Sequence, residues 1–397
     1  MFKRLITTLM TGILGLSAPA GANEYGEQAR EDLLLDGLRA LRENRLEAAA
    51  QNLRALTDQR PDFRLAQLIY GDLMLAHSEP LQKIGSERVT DARMLDGLIS
   101  EARVRLLTEA EKPAEDMIPS ALLKLADDQR YVVVMDTRLS RLFLFENHNG
   151  IPRLVEDYYA SYGRGGVGKE KQGDLKTPLG VYFVTGRIPD AALPSKYGSG
   201  ALPLNYPNAW DKRLKRTGNG IWLHGSPVDS YSRPPLASEG CISLSNPDFL
   251  TLDRQVDIRN TPVIVGENIN WMRRDDWLRQ REQFSALIEQ WRQSWQSLDN
   301  ARYLSHYSTG FNDGRYDYNR FVRYKSKVNA AKSYIDVELT GLSLFRYPDQ
   351  PELMVATFNQ HYRSDNHQSD SIKRQYWRLE QGRWKIAYEG KPSKGLR

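Results

Sequence analysis

Apolar positions recur at helical spacing through the early part of the chain. Leu34, Leu38 and Leu41 fall on one face, and Leu46, Ala49, Ala50, Leu53 and Leu56 on another, as in amphipathic helices. Pro61 interrupts the run, Leu65, Leu68 and Ile69 begin the next, and Ala92 to Glu111 add a further helical stretch. The pattern predicts a helical part over 23–120. From Tyr131 the period shortens. Tyr131 to Met135, Leu142 to Phe145, Gly180 to Thr185, Ile221 to His224 and Thr261 to Val265 read as β-strands, and predict a β-rich domain over 130–268. Between them, Gly186 to Gly220 has little periodicity; a stretch that long is often a lid or a surface loop, and Tyr197, Tyr206 and Trp210 favour a lid. A third block, 278–397, opens with a helix bearing Trp291, Trp295 and Leu298. Strand-like runs follow at Ile335 to Leu339, Met354 to Phe358, Tyr376 to Leu379 and Trp384 to Tyr388, so this block is expected to be α+β.

Residues 1–22 read as a signal peptide. Lys3 and Arg4 make a basic start, Leu5 to Leu16 is largely apolar, and Ala20-Gly21-Ala22 offers small residues for cleavage. The apolar stretch is shorter than the ~20 residues that cross a bilayer, so an exported chain without a transmembrane anchor is expected. Over 397 residues, 40% hydrophobic and 26% charged, the composition is that of a multidomain folded protein rather than a disordered one. A formal charge of +5 is too small to call for nucleic acid. Cys241 is the one cysteine, which excludes an internal disulfide and any cysteine-based metal cluster.

Several motifs fail on inspection. Gly163 to Lys169 has the glycine and lysine spacing of a P-loop, but Glu170 stands where a hydroxyl should meet magnesium. The six histidines show no i,i+4 pair. Asp313 to Asn319 lacks the final glutamate of a calcium loop. No metal and no cofactor are expected. Gly37, Ala49, Leu53 and Pro61 resemble a single tetratricopeptide unit; stable stacks need about three, so a helical cap on the next domain is the better expectation, and a candidate dimer surface.

The chemistry concentrates in Ile221-Trp-Leu-His-Gly and Ser238-Glu-Gly-Cys241-Ile. His224 ends an apolar strand, and the thiol follows Gly240. A histidine facing a thiol can take its proton and make the nucleophilic thiolate. The N–H groups of Gly240 and Cys241 are candidates for an oxyanion hole. A buried cysteine is also commonly a small hydrophobe, and spacing alone leaves both readings open.

His224-Gly225 and Ser238-x-Gly240-Cys241 resemble the signature of the L,D-transpeptidase family, whose catalytic domain is called YkuD. Gly173 to Gly180, leading into Val181-Tyr-Phe-Val, resembles that family's turn and strand ahead of its active site. The resemblance implies a β-sandwich acting on peptidoglycan stem peptides in the periplasm, with Cys241 as nucleophile, His224 as base and the Gly225 carbonyl orienting the histidine. It further implies attack on the carbonyl at the L-centre of diaminopimelate and loss of terminal D-alanine, with transfer to an amine (transpeptidation) as the first expectation and transfer to water (L,D-carboxypeptidation) as the alternative. Tyr197, Tyr206, Trp222, Ser238 and Glu239 are candidate substrate contacts. Two positions depart from the family pattern: Glu239 replaces a histidine and Ser243 an arginine. A carboxylate beside the thiol disfavours the thiolate, unless it holds a basic lid residue or a substrate ammonium. The third block is similar to the cone-shaped domains of nuclear transport factor 2 (NTF2). The whole arrangement resembles a subgroup linked to cell shape, some members of which trim stem peptides. A non-catalytic scaffold that binds cell-wall proteins is the alternative of another class.

Overall fold

The computed structural model describes residues 27–76, 85, 91–114 and 116–392. The expected signal peptide lies outside them. Helices Glu27–Arg42, Leu46–Gln59, Arg64–Ala76 and Ala92–Ala110 share one core, built from Leu34, Leu38, Leu53, Leu56, Ile69, Leu73 and Leu98. Asp91 caps the last helix by accepting from the backbone N–H groups of Arg93 and Met94.

This helical part is a cap on the β-rich domain. Tyr231, from the loop after His224, inserts into the helical core. Arg105 is buried between Glu31 and Glu101, 2.9 Å from the latter, and lies 3.8 Å from the centroid of the Tyr159 ring. Ser232 Oγ donates to Glu101 at 2.6 Å, and Arg141 joins Glu31 to Asp157. Buried charges survive only when paired in this way.

The β-rich domain has two main sheets, beside a two-stranded one in which Tyr162–Gly163 pairs in parallel with Leu236–Ser238. The larger runs Ile151–Tyr159, Arg141–His148, Tyr131–Asp136, Pro262–Gly266 and Gly180–Phe183 in spatial order. The smaller runs Ile242–Ser243, Trp222–His224, Gly200–Pro203 and Ile188–Pro189. Val133, Met135, Leu142 and Val263 of the large sheet meet Leu202, Leu223, Ile242 and Leu244 between the layers, giving the expected sandwich. Both faces of the large sheet are covered. Val132, Val134, Phe143, Phe145 and Ile264 point away from that core, into a second one shared with the C-terminal block. This double burial explains why Tyr131–Asp136 is uninterruptedly apolar up to its last residue.

The C-terminal block packs helices Arg274–Gln296, Asn300–Leu304 and Tyr318–Ala330 on an antiparallel sheet of Ile335–Tyr347, Gln350–Ser364, His367–Glu380 and Arg383–Gly390. Side chains alternate along each strand. Leu344, Met354, Trp377 and Ile386 fill the cone under the helices with Trp291, Trp295 and Tyr303, while Phe345, Val355, Tyr376 and Ala387 face the large sheet of the β-rich domain. Leu122–Lys124, which precedes the β-rich domain in sequence, adds a fifth strand beside Ile335–Tyr347. The strands extend well past the apolar runs that announce them, because their outer ends carry polar residues.

The stretch 186–220 is more ordered than a lid. Gly200–Pro203 is a central strand of the small sheet. Asn208 caps the short helix Ala209–Arg213 through a capping box with Asp211. Trp210 stacks on Tyr376 at 5.3 Å, inside the second core.

Candidate active site

Two short strands hold the site. Trp222–His224 and Ile242–Ser243 pair in parallel, with Leu223 opposite Ile242 and His224 opposite Ser243. Leu223 and Ile242 enter the sandwich core, so alternation turns their neighbours His224 and Cys241 the other way. Both side chains line one pocket of about 150 Å³ together with Arg164, Lys196, Tyr197, Arg233, Ala237, Ser238 and Glu239. They are nearly buried, His224 at 3% exposure and Cys241 at 8%.

His224 Nδ1 lies 2.6 Å from the Gly225 carbonyl. A carbonyl only accepts, so Nδ1 carries the hydrogen and Nε2 is left with its lone pair. Ser243 Oγ donates to the same carbonyl at 3.1 Å. The residue replacing the family's arginine therefore fixes the group that fixes the histidine. Tyr197 packs edge-on to the imidazole at 5.0 Å and against Trp222 at 4.9 Å. Burial pulls the His224 pKa down to about 4, opposed by the Gly225 hydrogen bond and reinforced by Arg233 and Lys196.

The Cys241 thiol donates to the Gly220 carbonyl at 3.3 Å. Burial pushes its pKa up, and Glu239 adds to the rise; the Trp222 N–H, Lys196 and Arg233 oppose it. At neutral pH the resting pair is a thiol beside a neutral imidazole rather than a preformed ion pair. A base with a free lone pair and a nucleophile within one pocket can still perform acyl transfer, the proton moving as the substrate carbonyl arrives.

Gly240 has φ +122°, and a Cβ there would come within 2.8 Å of the Lys176 carbonyl oxygen, so glycine is required. Its N–H donates to Ser238 Oγ at 3.1 Å, and that hydroxyl in turn donates to the Cys241 carbonyl at 2.6 Å. Of the two expected oxyanion donors, the Gly240 N–H is thus already engaged and the Cys241 N–H remains. Ser238 acts here as a clamp on the turn.

The other candidates divide. Tyr197 and Glu239 line the pocket. Trp222 supports Tyr197 from behind. Tyr206 does not line it: its ring lies in the sandwich core, and its hydroxyl donates to the Lys169 and Thr217 carbonyls at 3.4 and 3.2 Å. Glu239 lies 3.4 Å from Lys196 Nζ and 3.6 Å from Arg164, so it holds a basic residue of the 186–220 segment across the pocket mouth. The P-loop-like glycines form a structural turn in which Lys169 meets Asp174 at 2.6 Å.

Sequence reasoning misses Arg233. It lines the pocket and donates to the Ala237 carbonyl. Burial lowers its pKa, opposed by Cys241 and Glu239, which places its positive charge near the sulfur. The missing arginine at Ser243 was the available signal to look for another cation. Asn246, a cap candidate by its place before Pro247, does not cap its helix. Ser245 caps the helix Asn246–Gln255, while Asn246 Oδ1 accepts from Ser199 N–H at 2.9 Å. A Cβ on Gly225 would sit 2.2 Å from that oxygen, so the loop carrying Tyr197 is pinned against the strand end.

Fold and site together define a β-sandwich domain with a histidine at the end of one strand and a cysteine just before its parallel neighbour, set between a helical cap and a cone-shaped α+β domain. Residues 129–265 match the L,D-transpeptidase catalytic domain, YkuD, and residues 283–390 match the Cds6 C-terminal NTF2-like domain. The chain thus carries a YkuD catalytic domain followed by an NTF2-like domain. Bd1075 of Bdellovibrio bacteriovorus is similar in structure, with a TM-score of 0.62 and 28% identity over 71% of this chain and 100% of that one. The helical cell shape determining protein Pgp2 of Campylobacter jejuni shares the fold, with a TM-score of 0.58 and 24% identity over 68% of this chain and 95% of its own. No curated protein matches the chain in sequence.

Proposed function

We propose that the protein is a periplasmic cysteine enzyme of peptidoglycan that removes terminal D-alanine from tetrapeptide stems, an L,D-carboxypeptidase built on the L,D-transpeptidase domain. The observation that carries this reading is the Nδ1–H tautomer of His224, held by Gly225 in the pocket that also holds Cys241. When the carbonyl at the L-centre of diaminopimelate enters, Nε2 takes the thiol proton and sulfur bonds to the carbonyl carbon. The oxyanion meets the Cys241 N–H, with Arg233 supplying nearby positive charge. Collapse breaks the peptide bond, and D-alanine leaves with the proton from His224. Water then attacks the thioester, gives a proton to Nε2 and releases the tripeptide, and the thiol regains its proton.

Water is favoured as acceptor by the size of the pocket, about 150 Å³, and by the Lys196–Glu239 pair at its mouth. An amine on a second stem needs that pair to part, and the same thioester then yields a cross-link. Incubation with purified sacculi, followed by chromatography and mass spectrometry of the digested products, separates the two. Tripeptide with free D-alanine is expected; new cross-links identify a transpeptidase instead. If Cys241→Ser releases D-alanine as fast as the parent, Cys241 is not the nucleophile; if the parent itself releases none, the enzyme reading is wrong and the scaffold reading gains.

A further inference from the structure

One face of the helix Ala92–Ala110 is turned to the loop that joins His224 to Cys241. Gly97, Glu101 and Arg105 recur along it at every fourth residue, the spacing of stacked neighbours on a helix surface. A Cβ at Gly97 would lie 2.8 Å from Pro234 Cγ. Glu101 accepts from Ser232 Oγ at 2.6 Å. Arg105 lies over the Tyr159 ring, whose hydroxyl donates to the Arg233 carbonyl at 2.8 Å. All three contacts therefore end on Arg233 or on a residue beside it. Ser161 Oγ donates to the same carbonyl at 2.9 Å. Just upstream, the Tyr231 ring lies 4.8 Å from that of Phe63 in the helical core, and its N–H donates to the Asp62 carbonyl at 3.1 Å. Loops place functional side chains less exactly than helices or strands do; here the helical cap supplies the missing rigidity.

The side chain held in this way faces the pocket of Cys241 and His224. Three cations line that pocket, Arg164, Lys196 and Arg233, with Glu239 as the one carboxylate. Glu239 is engaged by Lys196 at 3.4 Å and by Arg164 at 3.6 Å. Among the described residues, no carboxylate forms an ion pair with Arg233. Its guanidinium, half-buried, donates to the Ala237 carbonyl, and a guanidinium fork has further N–H groups to offer. A partly buried cation without a counter-ion is costly, and a carboxylate that meets the fork in bidentate fashion removes the cost.

We propose that the helical cap is part of the substrate site: through Gly97, Glu101 and Arg105 it positions Arg233 to bind a substrate carboxylate beside the scissile bond. The identity of the substrate rests on the proposed function; the demand for a carboxylate does not. Near the scissile carbonyl, a tetrapeptide stem offers that of the terminal D-alanine, beyond the amide nitrogen and one α-carbon, and that at the D-centre of diaminopimelate. Anchoring the former confines cleavage to chain ends, because an internal residue has no free carboxylate there.

The test uses the full chain carrying Cys241→Ala, which holds peptide without turnover, and isothermal titration with three synthetic tetrapeptide stems. One is the free acid, one the terminal carboxamide, and one is amidated at the D-centre of diaminopimelate. One of the amides is expected to bind about tenfold more weakly than the free acid, and which one it is identifies the carboxylate. Adding Arg233→Gln should weaken the free acid by a similar factor and change the affinity for that amide by less than about twofold. Ser232→Ala releases the loop from Glu101 and should weaken the free acid about threefold, again sparing that amide. A merely structural role would lower all three affinities alike. Thermal unfolding verifies folding, and Arg233→Lys, which keeps the charge and loses the fork, replaces the Gln variant if that one is unfolded. Equal affinity for all three peptides, unchanged affinity of either variant for the free acid, equal weakening of all three peptides, or no measurable binding of the free acid at millimolar peptide each overturns the proposal. D-alanine release by the parent is read separately. Its absence defeats the proposed function and leaves the titrations to judge Arg233 and the cap.

Discussion

In the proposed reaction, the burial of His224 sets the acid limit. The imidazole must be neutral at Nε2 to accept the thiol proton, and an ordinary histidine, with a pKa near 6.5, is only about one-tenth neutral at pH 5.5. With the value drawn down to about 4, about 97% of the rings are neutral at that pH. The rate of D-alanine release from a soluble tetrapeptide at limiting substrate should therefore change little between pH 7.5 and 5.5, where an unperturbed base would lose about tenfold. Half the rate should be lost only near pH 4. The same shift acts on stability. The folded pKa lies below the unfolded one, so the contribution is fully present above pH 6.5. It is lost as pH falls toward 4, to the extent of about 3 kcal/mol. His306, also pushed to about 4 by burial, adds a similar slope, so the readout is the difference between the parent and His224→Gln in urea unfolding at pH 7 and pH 4.5. An acid limb centred at 6 to 7, or identical losses of stability in parent and variant, would refute the reasoning.

Three further outcomes are expected. Arg105→Met leaves Glu31 to Arg141 alone and Glu101 with only its Ser232 hydrogen bond, in the interface between the helical cap and the β-rich domain, and should cost about 3–5 kcal/mol in chemical denaturation; a loss below about 1 kcal/mol means the network is dispensable. Gly240→Ala forces a Cβ against the Lys176 carbonyl at φ +122°, adding about 1–3 kcal/mol of strain and lowering D-alanine release at least about tenfold, with parental turnover counting against it. Glu239→Gln removes an exposed charge, so stability should shift by less than about 1 kcal/mol. The thiol pKa should drop, because Glu239 raises it, and Cys241 should alkylate faster at pH 8; an unchanged alkylation rate would show that the carboxylate does not reach the sulfur.

How much could be read in advance depended on how local the cause was. The leucines from Leu34 to Leu56 reveal helices because one face alone is buried, and periodicity records that. The Cys241 and His224 neighbourhood is legible because two adjacent strands and one turn build it. Tyr206 and Trp210 lie in an aperiodic stretch, and nothing local distinguishes an aromatic on a lid from one driven into a core by a strand and a capped helix. Arg233 reaches the pocket through the path of an irregular loop, which carries no periodic signal. The polar outer parts of Ile335–Tyr347 and Gln350–Ser364 are held by cross-strand hydrogen bonds that composition does not report. The pairing of Leu122–Lys124 with Ile335–Tyr347 joins segments so distant in the chain that no window of sequence contains both.

That pairing dictates an order of assembly. Leu122 cannot find its partner Phe345 until almost the whole polypeptide has been made, yet the catalytic strands lie between the two. The YkuD domain is therefore enclosed by a clasp that shuts last. A protein cut before residue 335 leaves Val132, Phe143 and Ile264 facing water, so expressing the catalytic portion alone should give an aggregating product. Nascent chains would have to wait, partly open, until synthesis reached their final strands.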